Sequence, residues 1–172
     1  MSPSGPPDFE DVVLPHLDAG HNLARWLVRD PALAQDVVQD ASVRALSYFA
    51  TYRGGDARAW WLRIVRNAAY TAIAARQRAG ADRLDDTRAH TLADPAPNPE
   101  AAANNSERTG RMNAALAALP AEWRECLVLR ELETLSYKDI AGITGVPIGT
   151  VMSRLFRARK ALDTAGLKET QP

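Results

Sequence analysis

The chain has 172 residues, 46% of them hydrophobic, and a formal net charge of zero; that length allows one domain or two small ones, and the apolar content suffices for helical cores. No apolar run approaches the ~20 residues that a membrane-spanning helix needs and no basic-then-apolar leader opens the sequence, so direct membrane insertion is excluded and a soluble, cytoplasmic protein is expected. The single cysteine, Cys126, excludes an internal disulfide and a multi-thiolate zinc site, and reads as a small core residue in a reducing compartment.

Zero net charge argues at first against a nucleic-acid protein, yet the charges are sorted along the chain. Up to residue 40, Asp8, Glu10, Asp11, Asp18, Asp30, Asp36 and Asp40 stand against Arg25 and Arg29. Over the next forty residues Arg44, Arg53, Arg58, Arg63, Arg66, Arg76 and Arg78 face only Asp56. One polypeptide therefore offers an acidic and a basic surface, suited to two different partners.

Helical periodicity runs from about residue 8 to 78, interrupted by Pro15 and the YRGGD loop at 52–56, and nothing there reads as a strand. Asp30 and Pro31 form an N-cap and first-turn pair, after which Leu33, Val37, Ala41, Ala45 and Tyr48 keep an apolar stripe at spacings of three and four. On the same helix Asp36, Gln39 and Asp40 fall at i, i+3 and i+4, giving a patch that is either a plain solvated face or a dock for a basic protein surface. The loop Tyr52, Arg53, Gly54, Gly55, Asp56 is flexible enough to bring backbone close to an extruded base, or is simply a turn between helices. The next helix, about 60–78, is expected to bury Trp61, Ile64, Val65, Ala68 and Ala72. Arg63, Arg66, Asn67, Tyr70 and Gln77 then project together on the other side. Two guanidiniums for phosphates, an amide for a base edge and a ring for stacking suit partly single-stranded DNA; a solvated polar face remains the alternative.

Between about 80 and 106 several prolines, small polar residues and the loss of any apolar period indicate a flexible linker. Extended at ~3.3 Å per residue, its roughly 25 residues would reach about 80 Å. Helical pattern resumes at Met112 with Ala115, Leu116 and Leu119, breaks at Pro120, and continues through Cys126, Leu127, Leu129 and Leu132. Residues 136–162 then have the parts of a helix-turn-helix in order: Ser136 as N-cap with Asp139 three residues on, a first helix through Ile140 and Ala141, a turn at Gly145, and a second helix opening near Pro147. That second helix carries Arg154, Arg157, Arg159 and Lys160, with Val151, Leu155, Ala158 and Leu162 as its buried stripe. Such a helix fits a major groove, or is a charged face closing a small bundle.

Catalysis finds little support. His16, His21 and His90 are scattered, no pair has metal-ligand spacing, no phosphate-cradling glycine loop follows a strand, and the Asp85–Asp86 pair lies in the expected linker. No catalytic residue, metal or cofactor is expected.

With these pieces placed, residues from about 20 to 164 resemble a bacterial sigma factor of the extracytoplasmic-function group within the sigma-70 family. Three segments carry the likeness: RDPALAQDVVQDASVRAL at 29–46, YRGGDARAWWLRIVRNAAYTAI at 52–73, and LPAEWRECLVLRELETLSYKDIAGITGVPIGTVMSRLFRARKAL at 119–162. The resemblance implies an all-α protein of two small helical domains: a sigma region 2-like domain at 8–79, a linker at 80–106 and a sigma region 4-like domain at 107–166. It implies that Asp36, Gln39 and Asp40 meet the clamp of core RNA polymerase. It places Arg53, Gly54, Gly55 and Asp56 with Arg63, Arg66, Asn67 and Tyr70 on the minus-10 strand, where relatives melt the duplex and hold a flipped base, and Asn67 is the candidate for the base pocket. Pro147, Gly149, Thr150, Met152, Ser153, Arg154, Phe156 and Arg157 match positions at or beside the minus-35 groove, the same domain also meeting the polymerase flap. Control by an anti-sigma factor until a stress or other signal arrives is implied too.

Two positions depart from the pattern. Met152 stands where relatives usually carry arginine or lysine, and Thr71 where an aspartate is common. Two other functions fit parts of the chain. A sigma mimic that sequesters an anti-sigma factor would have no need of Arg63, Arg66, Asn67 and the basic helix together; a free-standing helix-turn-helix regulator would leave the acidic patch unexplained.

Overall fold

The computed structural model describes residues 5–82 and 99–166, with side chains over 5–80 and 106–166. It is all-α among the described residues and forms two compact units.

The first unit holds α1 (Phe9–Val13), α2 (Leu17–Val28), α3 (Pro31–Tyr48) and α4 (Ala57–Asp82). A 3-10 turn at Leu14–His16 joins α1 to α2, with Pro15 in its first turn, where a missing N–H costs no bond. Helix α2 buries Gly20, Leu23, Ala24, Leu27 and Val28 at three- and four-residue spacing and ends at Arg29 in the left-handed region, φ 58°, its N–H donating to the Arg25 carbonyl at 2.9 Å. The following Asp30 carboxylate accepts from the N–H of Ala32 at 3.0 Å and Leu33 at 3.2 Å, so the cap and Pro31 start α3 as its sequence requires.

Helices α2, α3 and α4 pack on one another as a three-helix bundle. The α3 contribution is Ala34, Val37, Ala41 and Ala45; these small side chains let the partner helices approach closely. Leu33 is only half-buried, and Tyr48 is exposed at the end of the helix where the chain turns away. Helix α4 buries Trp61, Leu62, Val65, Ala68 and Ala69, while Ile64 and Ala72 stay half-buried. Its buried face is therefore rotated toward Leu62 and Ala69 from the one expected, because it serves two partner helices and not one. Trp61 lies directly on Gly20, where an added Cβ would sit 2.5 Å from the indole Nε1.

The second unit holds α5 (Pro99–Ala118), α6 (Ala121–Glu131), most of α7 (Tyr137–Thr144) and α8 (Ile148–Thr164). Helix α5 starts inside the stretch read as linker; proline is at home in a first helical turn, and the alanines at 101–103 are the strongest helix formers. The rest of that stretch, 83–98, lies outside the described residues. Helix α6 is the centre of the unit, with Arg124, Glu125, Cys126, Leu127, Val128 and Leu129 all buried in succession. The Arg124 guanidinium Nη1 donates to the carbonyls of Leu116 (3.3 Å), Ala117 (3.4 Å) and Leu119 (2.9 Å), closing the C-terminal end of α5 with a cation. Against α6 packs α8, through Val151, Leu155 and Ala158; Leu162 is half-buried.

Candidate nucleic-acid interface

In the second unit the helix-turn-helix is built by local chemistry. The Ser136 hydroxyl accepts from the Asp139 N–H at 3.1 Å and the Ser136 carbonyl from the Ile140 N–H at 2.9 Å, starting α7. The helix ends at Gly145, whose φ of 73° lies where only glycine sits without strain. Pro147 then occupies the N-cap of α8, one residue before the helix proper, and its carbonyl accepts from Thr150 at 3.0 Å and Val151 at 3.2 Å. No side chain caps this end, so amides of the first turn point outward.

The burial of Val151, Leu155 and Ala158 fixes the opposite face of α8 by the 3.6-residue period. Gly149, Met152, Ser153, Phe156, Arg157 and Lys160 are exposed there, Pro147 is exposed at the start, and Thr150 is half-buried. Arg154 behaves otherwise. Its side chain is 21% exposed and its Nη1 lies 3.9 Å from Oε1 of the fully buried Glu125, a charge contact longer than a hydrogen bond. It thus turns toward α6 and away from the exposed basic face. Arg159 donates to Glu131 at 2.7 Å, a hydrogen bond that raises the guanidinium's pKa further. Lys160, not among the residues matched by resemblance, belongs to the exposed face; its place one turn beyond Phe156 was the signal available.

In the first unit the 52–56 loop rests on an aromatic cluster. Phe49 stacks on Tyr52 at 6.0 Å between centroids and meets Phe9 edge-on at 5.5 Å; Tyr52 lies 5.1 Å from Trp60. The Tyr52 hydroxyl donates to the Gly55 carbonyl at 3.2 Å, a brace that sequence reading missed because a tyrosine before a glycine loop has many uses. Gly54 and Gly55 have φ of 85° and 93°, so the loop conformation needs both glycines. Asp56, by contrast, caps α4: its carboxylate accepts from the Ala59 N–H at 3.0 Å and its carbonyl from Trp60 at 3.1 Å. The helix consequently starts at Ala57, before the expected Trp60. Arg53 is exposed at the loop's start.

Arg63, Arg66, Asn67 and Tyr70 share one side of α4, as their spacing requires. Arg63 and Asn67 are exposed, whereas Arg66 and Tyr70 are half-buried, with the guanidinium carbon 4.4 Å from the Tyr70 ring centroid. One face of that ring is therefore covered by a cation. The Thr71 hydroxyl donates to the Asn67 carbonyl at 2.9 Å, so this exposed side chain, one turn beyond Asn67, is engaged within the helix.

Asp36, Gln39 and Asp40 are exposed together on α3, and Asp40 takes a 2.8 Å ion pair from Arg44. One to two turns further along the helix Val43 and Leu46 are 66% and 61% exposed. Both fall off the buried stripe in the sequence, a signal that the patch is mixed apolar and acidic.

Comparison with known proteins agrees with this division. Residues 12–79 match the model for sigma-70 region 2, and residues 109–162 that for sigma-70, region 4. The chain is 39% identical to the RNA polymerase sigma-H factor of Pseudomonas aeruginosa over 91% of its own length and 85% of that protein. It is 32% identical to the ECF RNA polymerase sigma factor SigE of Mycolicibacterium smegmatis, over 91% of this chain and 60% of that one. Among solved structures it resembles the sigma factor RpoE of Bartonella quintana, determined in complex with the anti-sigma factor NepR, at a TM-score of 0.75 and 29% identity, covering 95% of this chain and 99% of the other.

Proposed function

This chain belongs to the extracytoplasmic-function group of the sigma-70 family of RNA polymerase sigma factors, and on that premise we propose how its surfaces divide the work of promoter recognition. A sigma factor binds core RNA polymerase, recognises the minus-35 and minus-10 elements and helps melt the promoter to begin transcription. Here it acts as a non-catalytic, cytoplasmic specificity subunit for a signal-responsive gene set.

The first domain, 8–79, docks on the polymerase clamp through Asp36, Gln39 and Asp40, with Val43 and Leu46 supplying apolar area further along the same helix. The carboxylates suit a basic partner and would repel DNA. On α4, Arg63 grips phosphate and Asn67 hydrogen-bonds the edge of an unpaired minus-10 base, while the Arg66–Tyr70 pair forms the wall beside it. The Arg53–Gly54–Gly55 loop, braced by Tyr52, offers backbone to the same strand; Asp56 contributes as the helix cap that holds that loop in place. After a linker, the second domain, 107–166, sets α8 in the minus-35 major groove. Ser153, Phe156 and Arg157 face base edges, Met152 flanks them, and Thr150 and the outward N–H groups of Ile148 and Gly149, just after Pro147, take phosphates. Arg154 supports the helix from beneath through Glu125, and the same domain meets the polymerase flap. An anti-sigma factor holds the protein inactive; the Bartonella relative is likewise found in complex with one.

The observation that carries this reading is that both matched regions occur in order on one chain, each with an exposed cationic helix face. Transcription start mapping with purified protein and core polymerase on genomic DNA tests it. A defined set of start sites sharing two upstream elements is expected. No transcription from any site, alongside tight binding to an anti-sigma factor, would mark a sigma mimic instead.

A further inference from the structure

The exposed face of α8 is not uniformly polar. Met152 is 52% exposed and Phe156 67%, and they stand four residues apart, hence on adjoining turns of one side; Ile148, 45% exposed, continues the row toward the N-terminal end. These apolar groups are bordered by cations. Arg157 and Lys160 are exposed beside Phe156, with Asp163 exposed at the far C-terminal end of the helix; of the carboxylates on α6, Glu131 is paired with Arg159 and the buried Glu125 lies against Arg154. A surface of this charge suits a polyanion better than an acidic or apolar protein face. In a major groove the apolar feature on offer is the C5-methyl group of thymine, while guanine and cytosine present only donors and acceptors.

From this geometry we infer that Met152, together with Phe156, reads thymine methyl groups in the minus-35 element, so that the element contains thymine where an arginine at position 152 would have selected guanine. The inference rests on the assignment of α8 to the minus-35 groove. Met152 is unbranched and polarizable, so it can follow a methyl group whose position shifts with local groove shape. It has no hydrogen bond to offer a guanine edge, and a guanine there would face an apolar side chain with its acceptors unmet.

The test uses the full chain bound to core polymerase and a promoter duplex recovered by start mapping. Each minus-35 thymine is replaced singly by deoxyuracil, which removes the methyl and leaves base pairing intact. One or two positions are expected to lose about three- to five-fold in affinity, the value of one buried methyl group. With Met152→Ala that loss should shrink to near unity at one of these positions, and Met152→Leu should largely restore it. Equal affinity at every uracil position overturns the methyl contact and leaves the minus-35 reading standing. Uracil sensitivity unchanged in Met152→Ala overturns the role of Met152. Uniform DNA binding joined to weaker association of Met152→Ala with core polymerase makes the row a protein dock, and also overturns it. Failure to retain any promoter duplex removes the minus-35 assignment itself.

Discussion

On α4 the side chains proposed for the minus-10 strand are partly committed before DNA arrives. Arg66 covers one face of Tyr70 at 4.4 Å, and the neighbouring loop is fixed by two left-handed glycines and the Tyr52 hydroxyl. On α8 the proposed minus-35 readers Ser153, Phe156 and Arg157 stand out into solvent with only the helix to orient them. The contrast follows from the substrates. An unpaired base brings many rotatable bonds that must be ordered on capture, so a rigid receiving surface limits the entropic cost. Duplex DNA is already ordered, and side chains on one helix can adapt to it.

The largest effect should come from the frame of the duplex reader. Arg124→Ala removes a buried cation bonded to three carbonyls at the end of α5, and is expected to destabilise the second domain by about 3 kcal/mol in chemical denaturation. A loss under about 0.5 kcal/mol would show that those carbonyls find water readily. In the first domain, Gly20→Ala drives a Cβ into the Trp61 indole and should cost about 2 kcal/mol, read as a lower Tm of that domain alone. An unchanged Tm would mean that Trp61 repacks freely, which the tight bundle argues against.

Smaller effects separate the two DNA surfaces. Arg157→Ala should weaken promoter binding by about 1.5 kcal/mol, roughly tenfold, and alter sequence preference if it reads a base. Equal weakening on every sequence, with the salt slope reduced by about one unit, would make it a phosphate contact only. Gly54→Ala, at a φ of 85°, should cost about 1 kcal/mol and slow promoter opening more than it weakens closed-complex binding. Equal effects on both steps would detach the loop from melting.

Features set by neighbouring residues were legible in the sequence. The Asp30–Pro31 start of α3, the Ser136 cap and the Gly145 turn depend on contacts within four residues, and all three stand as their chemistry requires. Features set across the fold were not. That Arg154 turns inward depends on a buried Glu125 almost thirty residues away, and a helical wheel places it on the boundary where either outcome is open. The broad buried face of α4, with Leu62 and Ala69 in place of Ile64 and Ala72, required knowing that two helices pack on it. Gly20 gave no sign of its role, since only the Trp61 ring explains it. Asp56 shows a third case: its residue type suited both a loop and a cap, and the 3.0 Å bond to Ala59 decides for the cap.

Melting by the first domain and duplex reading by the second are separated most directly by permanganate reactivity of minus-10 thymines in complexes formed with core polymerase at saturating protein. Asn67→Ala should retain core and promoter binding yet leave those thymines largely unreactive, while Arg157→Ala, once loaded, should give the reactivity of the unaltered protein. Full reactivity with Asn67→Ala would contradict the assignment of the melted strand to α4.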